Sequence, residues 1–121
     1  MYNIQINTEK KVLYAFAEGF LNLEDANGFI KDFKEKSSSI NSKDYSLLIN
    51  TKNLKPATPE IADKMGGLIL MYINTPFKAR YALKLDSAVG QMQVNRVGKT
   101  IPGFDTIKFV DTEGEAYLLI G

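Results

Sequence analysis

The run Gly98-Lys99-Thr100 matches the ending of a phosphate-binding loop, in which backbone N–H groups and a lysine surround phosphate oxygens. That loop needs a second glycine five residues before the first, and Gln93 stands there. It must also follow a strand and open a helix, whereas the apolar spacing here puts a helix before it. Gly98 therefore reads as a helix stop and Lys99 as a surface cation.

Glu60 and Asp63 are spaced to share one face of a helix, where paired carboxylates can move protons or hold a hard cation. At a helix start the same pair complements the partial positive charge of the N-terminus, and that is the expected role. Glu113 and Glu115 read the same way. Lys78, Arg80, Arg96 and Lys99 would make an anion site if a strand and the following helix brought them together. Scattered solvated charges are the expectation.

The chain has no histidine and no cysteine. That removes the commonest general base, the thiolate nucleophile, zinc–thiolate sites and disulfides. Fifteen basic against fourteen acidic residues leave a net charge of +1, without the basic excess that nucleic-acid binding requires. No cofactor and no catalysis are expected.

These residues need elements to hold them. The 121 residues suit one domain spanning the whole chain. Tyr2, Ile4 and Ile6 alternate with polar residues as in a half-buried strand, and Val12–Phe16 is a continuous apolar strand, the two forming an antiparallel hairpin. Asn22 is placed to cap a helix whose inner face is Leu23, Ala26, Ile30 and Phe33, with Phe29 beside it. Tyr45–Ile49 is the third strand. Thr58-Pro59 opens a second helix with the stripe Ile61, Met65, Leu68 and Tyr72. Gly66-Gly67 inside that helix implies close packing against a neighbour.

Ala79–Leu85 alternates as a fourth strand, and Asp86 is expected to cap a third, amide-rich helix with a thin stripe of Ala88 or Val89, Met92 and Val97. Such a helix suits a partner-facing or peripheral position. Thr106–Val110 is a fifth strand, and Thr112 with Glu115 forms a capping box before a short last helix. The order is β-β-α-β-α-β-α-β-α, giving a mixed five-stranded sheet with helices packed against it. The longest apolar stretch, Leu68–Ile73, falls far short of the roughly 20 residues that span a bilayer. The first residues lack the apolar core of a signal peptide, so the cytoplasm is the expected location.

The strand Tyr45–Asn50, the loop Thr51–Ala57, the helix Thr58–Tyr72 and the ending Ile107–Ala116 together resemble the STAS-like family. This family comprises bacterial anti-sigma-factor antagonists and relatives, including a branch grouped with CRAL-TRIO lipid-binding domains. The resemblance implies a bacterial, non-catalytic regulatory module that meets a protein partner, or a second copy of itself, through the loop before the second helix. Thr58, Glu60 and Asp63 are the partner-binding candidates. Where the antagonists carry a phosphorylated serine, this chain reads Ala57-Thr58-Pro59-Glu60-Ile61. The alternative is a binding protein for a lipid or other small apolar ligand, in a cleft between sheet and second helix lined by Met65, Ile69 and Tyr72. Tyr14, Phe16 and Met71 are further candidates for that lining.

Overall fold

Period-two alternation followed by the polar turn Thr8–Lys11 produces a hairpin of β1 (Tyr2–Asn7) and β2 (Val12–Ala17). A computed structural model describes the chain from Met1 to Gly121. After the hairpin come α1 (Leu23–Ser38), β3 (Ser46–Asn50), α2 (Pro59–Asn74), β4 (Ala79–Leu83), α3 (Ala88–Gly98), β5 (Ile107–Val110) and α4 (Glu113–Ile120). The strands lie in the order β1-β2-β3-β4-β5, with β1 antiparallel to β2 and every later pair parallel. This is the expected mixed sheet.

Each crossover adds its strand on the same side of the last one. Crossovers of one hand then keep their helices on one face of the sheet, and α1, α2 and α3 all pack there. Ile4, Leu13, Leu47 and Ile49 point into this layer and meet Phe29 and Phe33 of α1 and Ile69 and Tyr72 of α2. The Phe33 ring stands edge-on to Tyr72 at 5.0 Å. Burying each such side chain contributes roughly 1.5–3 kcal/mol before entropic losses.

The opposite face is covered by α4 alone. Val12, Leu48, Leu83 and Val110 form its small core with Ala116, and Tyr14, Tyr81 and Tyr117 pack at the rim. Strands β2 and β3 read as continuous apolar runs because both of their faces are covered. Strand β1 alternates because only one of its faces is.

Local capping signals hold in most places. Asn22 accepts from the Asp25 N–H at 2.7 Å and Asp25 returns the bond, completing a capping box. Thr112 caps α4 by accepting from the Glu115 N–H. The Glu115 carboxylate reaches past the cap to the N–H of Asp111 instead.

Several expectations are corrected. Leu23 is exposed and Ile30 only half-buried, so the inner stripe of α1 is Ala26, Phe29 and Phe33. The cap of α3 is Ser87 rather than Asp86, whose carboxylate pairs with Lys52 at 3.1 Å. Val89 and Met92 are 57% and 60% exposed, and α3 packs through Gly90, Val94, Val97 and Gly98. Glycines set that face because the helix lies too close to its neighbours for side chains. A Cβ at Gly98 would overlap the Phe104 ring. Gly98 thus ends the helix in right-handed geometry and serves as a contact point. Of the pair in α2, only Gly66 has a close neighbour, Val97; Gly67 faces open space.

Candidate functional site

The carboxyl ends of β2 and β3 lead into loops that pair with each other. Gly19, at φ +73°, bridges to Leu54: its N–H donates to Asn53 O at 3.1 Å, and its carbonyl accepts from Lys55 N at 3.0 Å. Ligands of open parallel sheets sit at this end of the strands. Next to the paired loops the layer between sheet and α2 is incompletely filled, leaving an apolar cavity of about 110 Å³. Apolar cavities of about this size can stay dry and take up a small hydrocarbon.

One wall is a single stripe of α2, in which Ile61, Met65, Leu68, Ile69 and Tyr72 recur at helical spacing. From Ile61 to Tyr72 the helix rises about 16 Å. Small side chains opposite the stripe explain the gap. Ala17 and Ala82 project from the sheet, and Ala26 and Ala57 from the flanking segments, where larger residues would have filled it. Burial pushes the Tyr72 phenol well above its ordinary pKa, so it stays neutral at every physiological pH.

Met65, Ile69 and Tyr72 all lie on this wall. Tyr14 and Phe16 do not, because their strand positions point to the opposite face of the sheet, and Met71 packs on the core outside the cavity. Thr58 is the N-cap of α2, accepting from the Ile61 N–H at 3.5 Å. Glu60 and Asp63 are exposed on the first turns of the same helix, outside the cavity and without an ion-pair partner. No three acidic side chains gather to hold a metal.

One member of the cationic group is drawn inward. Arg80 turns toward the carboxyl end of α2, donating from Nε to Tyr72 O at 2.6 Å and from Nη2 to Ile73 O at 2.9 Å and Thr75 O at 2.7 Å. One guanidinium satisfies the Tyr72 and Ile73 carbonyls at the helix end and shares the Thr75 carbonyl with the Phe77 N–H. Burial lowers its pKa. The amides of α3 likewise work inward: Gln91 accepts from the Leu85 N–H, and Gln93 binds the backbone of Ala57. Lys99-Thr100 closes the helix, with the Thr100 hydroxyl donating to Val97 O.

Sequence reading missed a polar cluster on the α4 face. Tyr14 donates its hydroxyl to Glu113, and the Asn50 amide donates to Tyr14 Oη at 3.0 Å and to Glu113 Oε1 at 2.8 Å. Burial and the neighbouring carboxylate push the Tyr14 phenol up to about 12. Tyr117 is raised for the same two reasons. The cluster fastens the first turn of α4 to the sheet. An apolar-to-polar change within β2 and β3, at Tyr14 and Asn50, was the available signal. The partner, Glu113, was legible only as a helix-start acid. No helix is long and apolar enough to cross a membrane.

No protein-family model matches the chain, and no curated protein matches it in sequence. Among solved structures it is similar to an uncharacterized protein of the DUF3478 family with a SpoIIAA-like fold from Shewanella loihica PV-4. The two share 17% sequence identity with a TM-score of 0.70, over 100% of this chain and 93% of the other. At that identity the likeness establishes the fold, which is SpoIIAA-like and so STAS-like, as the sequence pattern implied.

Proposed function

We propose that this SpoIIAA-like domain is a non-catalytic binding protein for a small apolar ligand held between α2 and the sheet. The observation that carries the reading is the cavity itself. Nineteen of its twenty-two lining residues are hydrophobic, and the gap lies in the main core, where filled packing is the rule. Leaving such a space empty forfeits dispersion contacts, which an apolar guest restores.

Titration with decan-1-ol, followed by amide chemical shifts, tests this. Shifts confined to residues such as Met65, Ile69 and Ala82 are expected, and Ala82→Leu, which fills the space from the sheet side, should suppress them. Shifts scattered over the surface, or none at all, would overturn the reading. Native mass spectrometry of protein purified from its own cells would then weigh the natural guest.

A second reading is a regulatory contact with a protein partner or a second copy of the chain at Thr58, Glu60 and Asp63. It is supported by the exposure of Glu60 and Asp63 and by exposed Val89 and Met92 on α3, the helix joined to the Thr58 turn through Gln93 and Ala57. Sedimentation of wild type and of the Glu60→Lys/Asp63→Lys/Met92→Asp variant measures the self-contact. A wild type that stays monomeric at high concentration removes that arm, and unchanged partner capture by the variant removes the other.

A further inference from the structure

We infer that the guest is an amphiphilic anion, an alkyl chain ending in a negatively charged head, with the head held by Lys55 and Lys64. The inference rests on the cavity reading above and adds the chemistry of the ligand's polar end.

Only three residues lining the cavity are not hydrophobic: Thr51, Lys55 and Lys64. All three belong to one end. Thr51 and Lys55 are in the loop leaving the carboxyl end of β3, and Lys64 is in the second turn of the helix that follows it. The far end, at Tyr72, Phe104 and Ile107, has only hydrophobic walls. The two lysines wall the loop end with their aliphatic stems, and because both residues are exposed their ammonium groups stand in solvent at its rim. No acidic residue lines the space; Glu60 and Asp63, on the same turns of α2, are exposed outside it.

Both lysines are free. The three ion pairs of the fold use Lys36 with Asp32, Lys52 with Asp86 and Lys84 with Asp111. Glu60 and Lys64 have the i, i+4 spacing, in the favourable acid-first order, that commonly pairs along a helix. They do not pair, and Lys64 lies on the wall of the cavity instead. Two unpaired ammonium groups at the rim of an apolar space match a chain with a carboxylate or phosphate at its end. A neutral oil leaves both lysines without a partner, and a cationic amphiphile is repelled.

Calorimetric titration with decanoate, decyl phosphate, decan-1-ol and decyltrimethylammonium, which share one chain length, separates head from tail. The anions should bind roughly tenfold tighter than the alcohol at low salt, as two exposed ion pairs allow, and the advantage should shrink as salt is added. The Lys55→Gln/Lys64→Gln variant should keep the affinity for decan-1-ol and lose the preference for the anions. Comparing decanoate with decyl phosphate assigns the head as carboxylate or phosphate. Equal binding of alcohol and anions by wild type, or an unchanged preference in the variant, would overturn the head-group assignment while leaving the cavity reading intact. Tighter binding of the cation would overturn it outright. Binding of none of the four would remove the cavity reading and this inference with it.

Discussion

Gln93 makes both hydrogen bonds of its side-chain amide to the backbone of Ala57, accepting from N–H at 2.9 Å and donating to the carbonyl at 3.0 Å. The contact imitates one rung of a sheet and joins the middle of α3 to the loop that precedes α2. Ala57 lines the cavity, so this clasp also holds one side of the proposed binding site.

Gln93→Leu leaves the Ala57 N–H and carbonyl without these partners. A loss of about 1–3 kcal/mol in unfolding free energy is expected, read from denaturant midpoints. Hydrogen exchange at Ala57 should accelerate more than exchange in β3. Equal acceleration at both would mean that the whole fold, rather than the clasp, had weakened.

Arg80 is the second internal fastener. Arg80→Met is expected to lower stability by about 2–3 kcal/mol, because three carbonyls at the end of α2 lose a charged donor. Arg80→Lys should recover part of this, keeping the charge near the helix terminus without the planar fork. Urea midpoints of the two variants decide the order.

The Tyr14 phenol gives a pH dependence with a definite sign. Its pKa in the folded protein is raised from 10.0 to about 12, so the folded state holds this proton more tightly than the unfolded chain does. The stability it contributes is complete below pH 10 and is lost as pH rises through about 12. Tyr14→Phe should therefore flatten the fall of melting temperature over that window, measured against wild type. At neutral pH the variant should be weaker by about 1 kcal/mol, for the hydrogen bond to Glu113.

Two glycines should respond oppositely to the same substitution. Gly67 lies in α2 facing open space, so Gly67→Ala is expected to stabilise by up to about 1 kcal/mol through helix propensity. Gly98→Ala drives a methyl group into the Phe104 ring and should destabilise by about 1–3 kcal/mol. Thermal melts of the pair test the packing of α3 directly, and a neutral Gly98→Ala would show that Phe104 can move aside.

Much of the fold was legible because its signals are local. A cap such as Asn22 or Thr58 bonds to a residue three positions on, and the stripe through Met65, Ile69 and Tyr72 follows from the pitch of one helix. The order of strands and helices needs little more than such periods and stops. The STAS-like pattern was readable on the same basis, since it is an order of elements.

Tertiary structure decided the rest. Whether the stripe of α2 met large or small side chains depended on the strand register that sets Ala17 and Ala82 opposite it, and so the cavity could not be read from α2 alone. Tyr14, Asn50 and Glu113 are separated by 36 and 63 residues and meet only because β2 and β3 lie side by side beneath α4. Arg80 looked like a surface cation until the end of α2 came within its reach. A sequence fixes which faces are apolar through short-range periodicity; the volumes and polar partners between faces are set by chain crossings that no local window contains.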